Sequence, residues 1–257
     1  MVNNIWFYSS WSLYKKEVKR FIKVYNQTLI APVIISLIYL AIFYLAAGQH
    51  VGYIKGIKFS EFIAAGLIIM SALQNAFSNT SSSIIMGKIS GTIIDYLIPP
   101  FSSLGLCLAL AFSGATRGIF VGILVAFTLN FFIPIQVYSL SYCIFYLIAG
   151  SLMLSLLGII TSIISENFEQ MSAVTTYIIT PFSFLSGTFY STDSLPIWAN
   201  YVNNFNPFFY IIDGFRYGLI GINDSSLQLG TLVTTIFTIS LFSTVYIILN
   251  KGWNIRS

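Results

Sequence analysis

Charge is scarce in this sequence. Asp, Glu, Lys and Arg together make up 8% of its 257 residues, against about 25% in an ordinary soluble domain. None of the four occurs between Arg117 and Glu166. One apolar crossing of a bilayer needs roughly 20 residues, so Gly118 to Ser165 is long enough to cross, turn and cross back. With 56% hydrophobic residues and a mean hydropathy of +0.83, a soluble fold is excluded, because its outer helix faces need polar cover. The chain reads as an integral membrane protein.

Reactive residues are equally few. There are two cysteines and one histidine. Cys107 and Cys143 sit in apolar stretches without metal-ligand spacing and read as small buried hydrophobes. His50 stands in a loop with no partner motif and reads as a solvated side chain. The sequence contains no GxxxxGK[ST] phosphate loop, no HExxH, no CxxC and no GxSxG, so no nucleotide site, metal set, cofactor or catalytic residue is expected within it. The N-terminus is not a cleavable signal, since its apolar residues are interleaved with Lys15, Lys16, Lys19, Arg20 and Lys23.

What is present is a series of apolar segments. The pattern predicts an all-α membrane protein forming one domain over residues 1–257. Six transmembrane helices are expected near 28–47, 62–85, 104–132, 139–163, 171–190 and 229–249. The membrane part of the third is placed mostly beyond Arg117. On this plan no ionisable residue sits near the centre of a span, which argues against ion coupling and for an energy source outside the chain. Six spans put both termini on one side, together with Lys15, Lys16, Lys19, Arg20, Lys23, Lys88, Arg117, Lys251 and Arg256. Lys55, Lys58 and Arg216 fall on the other, so the positive-inside bias places the termini in the cytoplasm. A seventh, short crossing at Leu104 to Thr116 is the rival topology.

Three segments are not simple spans. Residues 5–24 form an amphipathic interfacial helix, with Trp6, Leu13, Val18, Phe21 and Ile22 on a broad apolar face and the cations toward lipid head groups. Its charge would be needed equally by a plain topology signal. Residues 86–100, MGKISGTIIDYLIPP, carry poor helix formers at Gly87 and Gly91. A short helix there would end at Pro99 and Pro100. Its apolar Ile94, Tyr96 and Leu97 suggest docking, although an ordinary connecting loop has the same composition. Residues 181–221 are rich in aromatics, yet Pro181, Gly187, Pro196 and Pro207 break any continuous helix. Interrupted apolar backbone of this kind is tolerated in a membrane only under the cover of protein or a water-filled cavity. Trp198 suits the aromatic belt. Asp213 and Arg216, three apart, share a helix face, either as a local ion pair or as a substrate contact.

These segments carry a family likeness. GTIIDYLIPPFSS (91–103) is similar to a cytoplasmic stretch, and FLSGTFYSTDSLPIWANYVNNFNPFFYIIDGFRYGLIG (184–221) to a signature around the fifth span, of the ABC-2 type exporter permeases. That family includes drug-efflux, nodulation-factor and polysaccharide-export permeases. Together with the basic N-terminal helix and six spans, the resemblance covers nearly the whole chain. It implies a subunit that is not itself an enzyme: half of a homodimeric path in the bacterial inner membrane, paired with a second copy of itself and powered by two copies of a separate ABC ATPase. It further implies ATPase coupling through Lys88, Gly91, Asp95, Pro99 and Pro100 in segment 86–100. An outer re-entrant gate at 191–221 would be built on Gly187, Pro196, Trp198, Pro207, Asp213 and Arg216. Ile93, Ile94 and Ile98 make the coupling segment more apolar than is usual in the family, which leaves the ATPase partner open. A path lined by aromatic and small polar groups suits an amphiphilic, lipid-like, glycan or drug cargo. The competing readings are an ion-coupled secondary transporter, a lipid-directed membrane enzyme and a non-transporting assembly protein.

Overall fold

The computed structural model describes residues 2–47, 52–93, 102–192 and 196–252. His50, Asp95, Pro99 and Pro100 lie outside them. The elements are α1 (Val2–Lys23), α2 (Ala31–Ala47), a hairpin of β1 (Tyr53–Ile54) and β2 (Ile57–Lys58), α3 (Phe59–Ile89), α4 (Ser103–Leu129), α5 (Leu140–Ile164), α6 (Phe168–Val174), α7 (Thr180–Leu185), α8 (Ile197–Asn204), α9 (Pro207–Ile220) and α10 (Leu227–Lys251). Among the described residues, five helices are long and apolar enough to cross a membrane: Asn26–Ala46, α3, α4, α5 and α10. The segment expected to be the fifth span takes another form. There α6, a π-helical turn (Thr175–Ile179) and α7 run on from one another, and Glu169, Gln170 and three threonines make this rod less apolar than the others.

A second π-helical turn, Asn26–Ile30, opens the first span. Each π turn is followed by a proline in the next helical turn, Pro32 and Pro181. Proline has no N–H to donate, and its ring collides with the carbonyl four residues back. A widened turn just upstream relieves that collision, which accounts for both positions.

The core is α3, with nearly every residue from Phe62 to Phe77 buried. Helices α4 and α5 lie against it through small side chains. A Cβ on Gly118 would stand 2.6 Å from the Ala72 carbonyl and 2.8 Å from the Ala76 Cβ. Backbones approach this closely where lipid-embedded helices associate by packing alone. In contrast, α2 and α10 leave most of their apolar surface uncovered.

The structure removes the rival crossing at 104–116 and departs from two expectations, the charge-free span centres and the apolar face of α1. Ser102 caps α4, its hydroxyl accepting from the Gly105 N–H at 3.0 Å, and the helix runs unbroken to Leu129. Residues 104–116 are therefore the first half of one long helix rather than a separate crossing. Arg117 sits midway along that helix, 8% exposed, so an ionisable residue does lie near a span centre. The inward stripe of α1 also differs from the expected apolar face. It is Leu13, Glu17 and Phe21, all buried, while Trp6 and Ile22 are exposed. The four-residue spacing of the stripe places an acid, rather than a hydrophobe, at its middle.

Helix α9 runs antiparallel along the first half of α5. Ile211 faces Gly150, Gly214 faces Tyr146 and Gly218 faces Cys143. It thus begins deep in the bundle and climbs to the end where α5 starts.

Candidate functional site

The broken segment after α7 is held by a buried polar knot. Gly187 turns the chain with φ +77°, a conformation that favours glycine, and this turn aims its carbonyl at the Arg216 guanidinium, which donates to it. Arg216 is 1% exposed and stacks over the Phe62 ring at 3.9 Å, an arrangement that shields a cation in a dry interior. Asp213, fully buried, lies 4.0 Å from Arg216. The expected shared face is present, but their stronger partners are elsewhere. Asp213 accepts from the Asp224 N–H at 2.7 Å, the Ser225 N–H at 2.9 Å and the Ser225 hydroxyl at 2.6 Å. The pair therefore ties α9 both to the turn after α7 and to the loop that enters α10.

Around Asp224 the knot gains a second layer. Its carboxylate accepts from Lys55 Nζ at 2.6 Å, the Ser191 hydroxyl at 2.9 Å and the Thr192 N–H at 2.8 Å. Burial pushes this carboxyl up, but the Lys55, Thr192, Arg216 and Ser191 contacts outweigh it and hold the group below the usual carboxylate range. Lys55 brings in the β-hairpin, so one loop aspartate joins three segments. Pro207 occupies the first turn of α9 behind the Asn206 cap. Asn206 accepts from the Phe208 N–H at 3.0 Å and donates to the Ser186 hydroxyl at 2.7 Å, fastening the start of α9 to the end of α7. Gly187, Pro207, Asp213 and Arg216 are thus brought into one assembly. Pro196 is exposed just before α8, and Trp198 falls in the first turn of that helix.

At the other end of α3, Gly91 has φ +71° with open space around it and terminates the helix in the left-handed manner usual for glycine. Lys88 reaches across to α5 and donates to the carbonyls of Ile163 at 2.6 Å and Ser165 at 3.2 Å. A cation at the C-terminus of a helix satisfies orphan carbonyls and meets the negative end of the dipole. Lys88 thereby couples the ends of α3 and α5 to each other.

The residues that sequence reasoning missed lie between α1, α3 and α4. Glu17 accepts from Arg20 Nε at 3.0 Å and from the Ser83 hydroxyl at 2.7 Å. Arg20 also donates to the Asn79 carbonyl at 2.8 Å and side chain at 3.1 Å. Arg117 donates to Asn75 Oδ1 at 2.9 Å. The signal was present in Lys15–Arg20: Glu17 stands four residues from both Leu13 and Phe21, which commits an acid to the buried stripe.

This architecture, apolar helices bound through glycines and closed at one end by a buried ionic knot, defines a multi-pass helical membrane protein. The chain belongs to the ABC-2 type transporter family, which it matches over residues 8–220. It is 34% identical over 246 residues to the inner membrane transport permease YadH of Escherichia coli strain K12, covering 96% of each chain, with the same figures for YadH of Shigella flexneri. It is also 27% identical over 180 residues to nodulation protein J of Rhizobium leguminosarum bv. trifolii, covering 68% of this chain and 67% of that one. Membership makes the chain a membrane subunit of a transporter, of a kind that associates with an ABC ATPase and typically dimerises.

Proposed function

We propose that this protein is the permease half of an ATP-driven exporter in a bacterial inner membrane, two copies forming the path above two copies of a separate ATPase. The observation that carries this reading is the family match over most of the chain, joined to a sequence with no phosphate loop of its own. Near-identical length to an inner membrane permease, with 96% of each chain aligned, supports the location. Counting the α6–α7 rod as a crossing gives six spans, and the distribution of Lys and Arg then sets both termini in the cytoplasm.

On this plan residues 86–100 form the coupling segment that receives the ATPase stroke. Lys88, tied to the end of α5, passes the stroke from α3 to α5. The α8–α9 region enters and leaves from the outer face, and the Asp213–Arg216–Asp224 knot anchors it as the exit gate. ATP binding biases the state whose coupling segments fit the closed ATPase pair. The uncovered faces of α2 and α10 leave room for the second subunit and for lipid. The cargo is amphiphilic, a lipid-like, glycan or drug molecule.

The test is reconstitution with its cognate ATPase. Cargo-stimulated ATP hydrolysis is the expected result, whereas uptake driven by a proton gradient without ATP overturns the reading. Asp95→Lys is expected to leave insertion intact and to weaken recovery of the ATPase in a pull-down. Unchanged recovery moves the docking surface elsewhere.

A further inference from the structure

A cavity of about 410 Å³ lies where α1, the first π turn, α3, α4 and the α6–π segment meet. Its wall is polar in an otherwise apolar bundle: Arg20, Arg117, Ser78, Ser82, Thr175 and Thr176 contribute to it. The charges there do not balance. Arg20 has Glu17 at 3.0 Å. Arg117 has only the neutral Asn75 oxygen, no carboxylate within ion-pair distance among the described residues, and an Nε without a hydrogen-bond partner. It is nonetheless 8% exposed.

A buried cation without a counter-charge costs several kcal/mol, and side chains of this kind within membrane spans mark ligand pathways. Buried unpaired donors in a native protein call for a missing partner. A cation is excluded by the two guanidiniums, and a wholly apolar guest leaves Arg117 as unmatched as before. A planar guanidinium offers forked donors suited to phosphate or carboxylate oxygens, and the Ser78 and Thr176 hydroxyls at the wall supply further donors.

We propose that this cavity binds the anionic head, a phosphate or carboxylate, of an amphiphile, with Arg117 as its principal partner and Arg20 as the second. The head belongs either to a membrane phospholipid or to the transported molecule. In the second case the inference rests on the exporter reading and narrows its cargo to anionic amphiphiles.

The experiment uses the full chain purified in a neutral detergent, without ATPase or ATP, so that it succeeds or fails independently of transport. Thermal unfolding is followed against short-chain phosphatidylglycerol, short-chain phosphatidylcholine and inorganic phosphate. Saturable stabilisation by phosphatidylglycerol but not by phosphatidylcholine is expected. Arg117→Gln is expected to weaken it at least tenfold, about 1.4 kcal/mol, with partial rescue by Arg117→Lys. Lys15→Gln, on the outer surface of α1, is expected to change nothing. Response to inorganic phosphate as well shows that the head alone suffices and favours a cargo head over a lipid. Response to phosphatidylglycerol alone favours the lipid. Equal stabilisation by both lipids, no stabilisation by any probe, or binding indifferent to Arg117→Gln overturns the proposal. Should Arg117→Gln fail to fold, Arg20→Gln with Arg117→Lys carries the same comparison.

Discussion

Among the described residues, two buried ionic clusters sit in this bundle, and they are built on opposite rules. In the knot beside α9, Arg216 and Lys55 meet Asp213 and Asp224, cation against anion, with backbone N–H groups filling the remaining oxygens. In the cavity beside α1, Arg20 is paired with Glu17, whereas Arg117 meets no acid within ion-pair distance among the described residues. A balanced cluster in low dielectric holds segments together, because removing either partner strands the other. An unbalanced one contributes little to folding and keeps affinity in reserve for a ligand.

The knot loses most when one of its members is removed. Asp213→Ala strands Arg216 and frees the Asp224 and Ser225 N–H groups. The expected loss is about 3–5 kcal/mol, read as a collapse of the folded fraction in detergent. Asp213→Asn combined with Arg216→Met is expected to recover much of it, since the double change leaves no buried charge stranded and keeps side-chain volumes similar. Next in size is Gly118→Leu, which drives a side chain into the Ala72 carbonyl. It is expected to cost at least about 1–3 kcal/mol, visible as a lower unfolding midpoint with the same tertiary signature.

A smaller effect is expected from pH. The Asp224 carboxyl is held below its ordinary value, so the stability it contributes is fully present above about pH 4 and is lost as the pH falls through the depressed value. Lys55 is partly exposed, which keeps the pair within about 1 kcal/mol. Asp224→Asn is expected to flatten the acid limb of midpoint against pH between 6 and 3, in steps of about one unit. The smallest effect sharpens the contrast. Arg117→Met, which removes an unmatched buried charge, is expected to leave the midpoint unchanged or raised. A drop as large as that of Asp213→Ala shows the cavity to be a structural pair like the knot.

Much of the fold was legible because the membrane makes it so. Spans are read from apolar length, and the five helices long and apolar enough to cross a membrane stand where the hydropathy placed them. Gly187 and Pro207 were legible as breaks because both act on their own backbone. The rest depended on tertiary partners that no local pattern reveals. Asp213 and Arg216 read as a pair from their spacing, but their tie to Gly187 and Asp224 spans distances in sequence that spacing cannot report. Arg117 was misplaced because a charge is the usual mark of a span end, and here it sits inside one. Glu17 was hidden by the cations around it, which made the helix look amphipathic in the ordinary sense.

The two π-helical turns give the cavity a mechanical asymmetry. Each holds one residue more than an α turn, and one residue corresponds to about 100° of rotation about the helix axis. The walls formed by α3 and α4 are locked by glycine contacts and cannot turn without collision. The walls carrying Thr28, Thr175 and Thr176 belong to the two turns whose phase is set by that extra residue. The side that each turn shows the cavity is therefore indexed by rotation, like teeth on a ratchet, against Arg117 on the locked α4.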